Sequence, residues 1–79
     1  MGSMKSRALI VARAQILART GQGREIRKGA GLTQADIAPD VGVHKTAISQ
    51  WERGAARPSG EHAIRWVRLL DKLEKFGAS

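Results

Sequence analysis

Apolar residues recur three and four positions apart through most of this 79-residue chain, a spacing that predicts five helices and no strands. Residues 5–19 hold strong helix formers (Ala8, Leu9, Ala12, Ala14, Leu17, Ala18), with Leu9, Ala12 and Ile16 on one face, and predict a helix of about four turns. Gly21 and Gly23 interrupt it, and a short helix restarts at Gln22 or Gly23 and runs to about Gly29. Thr33 then precedes the run Ala35, Ile37, Ala38, Val41 and has Asp36 three residues on, the arrangement of a capped helix start. Gly42 should end that helix, because only glycine turns there without a Cβ clash. In residues 44–53, Ala47, Ile48 and Trp51 share one side of a further helix ending at Gly54. After a connector containing Pro58, Ser59 is placed to cap a last helix with Glu61 in its first turn, extending to Phe76. Its stripe of Ala63, Ile64, Val67 and Leu70 is widened by Trp66, Leu69, Leu73 and Phe76. A face that wide needs two partners: the central helices, and then either the 5–19 helix, which is preferred, or a second subunit.

Residues 32–54 thus read as two short helices joined by a tight turn. The outer side of the second carries Lys45, Thr46, Ser49 and Gln50, each with a hydrogen-bonding group and none acidic. A helix laid against base edges and phosphates requires such a surface. Gln50 can pair bidentately with adenine and is the leading base-reading candidate; Ser49 is short and reaches DNA only if the helix lies close. Lys45 either donates to guanine or neutralises a phosphate, and Thr46 either touches DNA or serves the first turn structurally. Arg53 and Arg57, around the following loop, are candidate phosphate contacts, with solvated charge as the alternative. Arg24 and Lys28 are weaker candidates of the same kind.

The run GLTQADIA, then Gly42 and Val43, then AISQWERG and the Pro58-Ser59 pair resembles the Cro/C1-type helix-turn-helix family of prokaryotic and phage regulators, over roughly residues 24–70. The resemblance implies an all-α, lambda-repressor-like domain of about five helices, here with an extended N-terminal helix. It implies that Leu32, Ile37, Val41, Ile48 and Trp51 are core, and that Gln34 clamps a phosphate at a helix N-terminus. It implies that residues 44–53 enter the major groove, and that Glu52 bonds Arg27, which is thereby aimed near the DNA backbone. Three positions depart from the pattern. Gly23 replaces an apolar residue, so the preceding segment should supply the missing core contact. Pro39 stands inside the first motif helix, where an interior proline costs about 3 kcal/mol, so that helix should kink or end early. His44 replaces a small hydroxyl residue and should cap poorly or bond a phosphate when protonated.

Composition sharpens this. Fourteen Lys+Arg against seven Asp+Glu give a net charge of +7, which attracts polyanions but does not separate duplex DNA from RNA or an anionic membrane. With no cysteine there is no disulfide framework and no Cys-based zinc site, and two separated histidines, His62 reading as a surface residue, make no metal site. No paired nucleophile and base, carboxylate pair or phosphate loop points to an enzyme, a cofactor or a small-molecule ligand. The apolar run 8–12 is too short for a signal peptide or membrane span, so a cytoplasmic location and no membrane partner are expected. Met1-Gly2-Ser3 reads as a remnant of expression, and 4–79 as one domain.

The expected function is a sequence-specific double-stranded-DNA-binding transcriptional regulator, a small phage Cro-like or prokaryotic repressor binding a palindromic operator as a homodimer. The alternative is an antitoxin-type protein-interaction module whose wide C-terminal helix binds a toxin and whose DNA binding is autoregulatory. A third reading is a basic helical protein held to RNA or membrane by charge alone.

Overall fold

The computed structural model describes residues 6–78, which form five helices: α1 Arg7–Thr20, α2 Gln22–Gly29, α3 Gln34–Val41, α4 Lys45–Glu52 and α5 Gly60–Ala78. Lys5, expected within the first helix, and residues 1–4 lie outside the described residues. Ser6 caps α1 by accepting from the Leu9 N–H, and Gly21, at φ 83°, turns the chain directly into α2. The long α5 is the element the others pack on: α1, α2 and α3 all lie against it, and α4 packs on α1 and α3. No helix among the described residues is long and apolar enough to cross a membrane.

The core is built from Ile37, Val41, Ile48, Ala63, Trp66 and Leu70, with Ala14, Leu17 and Ala18 closing it from α1. Leu32 is half-buried against it. The preferred partner for the wide face of α5 is the one observed. The face that α1 uses is not the expected one, however: Leu9 and Ile16 are 70% and 45% exposed and Ala12 is exposed, while Ala14, Leu17 and Ala18 are buried. Nine of the fourteen positions of α1 are apolar, so more than one face could have been chosen. Packing on α5 selects it, and two exposed ion pairs accompany the contact: Arg7 reaches Glu61 at 3.3 Å and Arg13 reaches Asp71 at 2.7 Å, both on α5.

Trp66 sits at the centre with no exposed surface. A Cβ built on Gly23 would stand 2.7 Å from its ring, so the glycine at this position makes room for the indole. The space is therefore filled mainly from α5, with the preceding segment contributing the Leu17 carbonyl at 3.5 Å. The indole N–H has no hydrogen-bond partner among the described residues. That costs about 1–3 kcal/mol, less than the roughly 4–6 kcal/mol expected from burying some 150–250 Å² of tryptophan. Packing volume wins over the lost bond.

Candidate nucleic-acid interface

The site begins with the cap of α3. The Thr33 hydroxyl accepts from the Asp36 N–H at 3.0 Å, while the Asp36 carboxylate accepts from the Thr33 N–H at 2.8 Å, a reciprocal capping box. The bonds from Thr33, the backbone N–H first, hold the Asp36 carboxyl below the usual carboxylate range. Pro39 does not end α3 early, and the helix continues to Val41. In so short an element the ring removes one internal bond, that to Ala35, which is itself exposed, and Ile37, Ala38 and Val41 hold the helix by burial.

Gly42, at φ 87°, closes α3, its N–H donating to the Ala38 carbonyl at 2.9 Å. Helix α5 covers this turn. His62 Nδ1 donates to the Val41 carbonyl at 3.3 Å, and Arg65 Nη1 would lie 3.1 Å from a Cβ at Gly42. His62 is exposed, as expected of a surface histidine, but its bond to the Val41 carbonyl and the approach of Arg65 to Gly42 span more than twenty residues and leave no local pattern.

His44 caps α4 effectively. Its Nδ1 accepts from the Thr46 N–H at 3.1 Å and lies 2.9 Å from the Thr46 hydroxyl. A backbone N–H can only donate, so Nδ1 carries the lone pair and the ring proton sits on Nε2. The expectation of a poor cap is thereby corrected: a ring nitrogen does what a hydroxyl would do. Nε2 is the donor His44 keeps for any other partner.

Along α4 the inner positions Ile48 and Trp51 are buried, and the Trp51 ring meets Trp66 at 5.1 Å between centroids with the planes inclined at 52°. This tilted pair fixes the rotation of α4 against the core. Lys45, Thr46, Gln50 and Arg53 consequently share the exposed side, with Ser49 half-buried between them. Arg53 Nε donates to the Ser49 carbonyl at 3.4 Å, and Arg57 is exposed on the connector.

Glu52, an acid next to this basic face, is removed from it by its partners. Arg27 Nε and Nη2 donate to its two oxygens at 2.6 and 2.9 Å, and Gln34 Nε2 donates to one of them at 2.9 Å. The Arg27 Nη1 reaches the Leu32 carbonyl at 2.7 Å. The residue is 8% exposed, and hydrogen bonding to Glu52 raises its pKa above its already high ordinary value against the opposing effect of burial. Arg27 is therefore an internal strut between α2, α4 and the Leu32 backbone, with little surface left to meet the DNA phosphate expected of it. Gln34, half-buried, is held at the start of α3 by the same carboxylate.

The fold, the capped α3, the glycine turn and the inner side of α4 agree with a match of the Helix-turn-helix family over residues 24–75. The chain belongs to the Cro/C1-type helix-turn-helix family. That family is one of DNA-binding regulators. A relative in it, Repressor protein C2 of Salmonella phage P22, is 40% identical over 47 residues, covering 60% of this chain and 22% of the repressor. The chain thus spans less than a quarter of that relative's length. No solved structure shows a significant match. The family match begins within α2 and ends within α5, so α1 lies outside it.

Proposed function

We propose that this chain is a sequence-specific double-stranded-DNA-binding transcriptional regulator, a repressor of the phage Cro-like or prokaryotic type. The observation that carries the reading is the outer side of α4: Lys45, Thr46 and Gln50 exposed and Ser49 half-exposed, with the single acid of the helix buried on Arg27. Helix α4 enters the major groove, where Gln50 pairs with adenine and Lys45 with guanine or an adjacent phosphate. Thr46 presents its methyl group, its hydroxyl being engaged by His44. Arg53, Arg57, the N-terminus of α3 at Gln34 and His44 Nε2 set the register on phosphates. A homodimer on an inverted repeat follows if two such helices are presented one DNA turn apart. Against the toxin-binding alternative, Ala63, Ile64, Trp66, Val67 and Leu70 of α5 are all buried within this one chain, which leaves less of that face for a second protein.

The test is Gln50→Ala in a titration against single-base variants of the preferred duplex. Discrimination at one base pair should fall by about 1–3 kcal/mol while the remaining positions keep theirs. A mutant with the wild-type base preference would remove Gln50 from the reading face.

A further inference from the structure

Helix α1 precedes the family segment. Its arginines stand at positions 7, 13 and 19. The first two are spent on α5, Arg7 with Glu61 and Arg13 with Asp71. Arg19 breaks that series: among the described residues no acidic side chain pairs with it. It instead lines a groove between the end of α1 and the α4–α5 connector, whose opposite wall carries Arg57, also exposed and also without an acidic partner.

This groove is built. Gln15 Nε2 ties its two walls by donating to the Pro58 carbonyl at 3.4 Å. Leu17 and Ala18, buried immediately before Arg19, hold its backbone in place, and Gly54 lines the groove where the chain leaves α4. Two arginines that line one groove with no acidic partner raise the local positive potential, and an anion held there would accept hydrogen bonds from them. Arg19 also offsets the partial negative charge at the end of α1. That accounts for Arg19 alone and not for Arg57 lining the same groove.

We infer that Arg19 and Arg57 form a clamp for a backbone phosphate of duplex DNA, flanking the bases that α4 reads. The N-terminal helix thereby extends the footprint beyond the two-helix motif. The inference rests on the chain binding duplex DNA. A free phosphate ion offers the same chemistry, but Gly54 and Arg57 of the groove follow α4 within five residues, which favours the backbone of a duplex lying on α4 as the occupant.

The experiment measures the affinity of the full chain for a mixed-sequence duplex across a salt series, for wild type, Arg19→Gln, Arg19→Lys and Arg57→Gln, with thermal melting of each. In parallel, inorganic phosphate is titrated while the arginine side-chain N–H resonances are followed. Arg19→Gln and Arg57→Gln should each flatten the slope of log affinity against log salt by about 0.9, the release expected for one phosphate on B-form DNA. Arg19→Lys should keep the wild-type slope; melting should be unchanged in Arg19→Lys and Arg57→Gln and fall only slightly in Arg19→Gln, which removes the charge at the end of α1. If wild type binds duplex and Arg19→Gln has the same slope, the clamp is overturned while DNA binding stands. If phosphate shifts both arginines yet the Arg19→Gln slope is unchanged, the groove holds a free ion and the duplex assignment is overturned. If wild type shows no salt-dependent duplex binding, the clamp and the proposed function fall together.

Discussion

Glu52 is the residue on which the charge distribution of the motif turns. Left exposed, it would repel phosphates beside the reading face; buried on Arg27 and Gln34, it ties α2, α3 and α4 into one unit. A buried pair is weak evidence for net stability, because desolvation offsets much of the attraction, but breaking it from one side is costly. Glu52→Ala should therefore destabilise the fold by about 3–5 kcal/mol in urea unfolding, since Arg27 is left charged and buried. Replacing both partners with apolar residues of similar volume should cost far less. Equal losses for the single and the double replacement would show that the packing of the two side chains, rather than the charge left unpaired, is what matters.

At the scale of elements, Gly23 is the position on α2 that makes room for the Trp66 ring of α5. Gly23→Ala places a methyl group 2.7 Å from a ring that has no exposed surface and so no room to yield. The expected outcome is a loss of about 1–3 kcal/mol from overpacking, read from chemical denaturation. The same scale shows what could be read from the chain alone. Helices α2 to α4 were legible to within a residue or two, because each carries local punctuation: Gly21, Thr33 with Asp36, Gly42 and His44. The buried face of α1 was not legible, since nine of its fourteen positions are apolar and what selects Ala14, Leu17 and Ala18 is packing against α5, far along the chain. The role of Gly23 was half legible: the missing side chain could be seen, but the tryptophan that replaces it arrives from α5. Among the site residues, the exposed stripe of α4 followed from helical spacing. The Arg27–Glu52 pair followed from the family resemblance, while the Arg27 bond to the Leu32 carbonyl and the Gln34 bond to Glu52 depended on three-dimensional neighbours; the ring cap of His44 is local, to Thr46, but histidine is an uncommon capping residue.

At the scale of the whole molecule, fourteen basic groups stand against seven acidic ones. The three ion pairs among the described residues each engage an arginine away from the outer side of α4, at Arg7, Arg13 and Arg27. Lys45, Arg53, Arg57 and Arg19 stay outside those pairs, on α4, the connector after it and the end of α1, as do Arg24 and Lys28 on α2 and Arg65, Arg68, Lys72 and Lys75 on α5. Such a distribution draws in any polyanion, so charge alone does not distinguish a duplex reader from a general binder of nucleic acid. Sequence readout does. The most direct measurement is selection of bound duplexes from a random pool by the full chain, followed by sequencing. The account predicts an enriched consensus with two symmetric half-sites about one helical turn apart, roughly 10 base pairs centre to centre. A pool that emerges with no preferred bases, or RNA bound as tightly as the selected duplex, would contradict it.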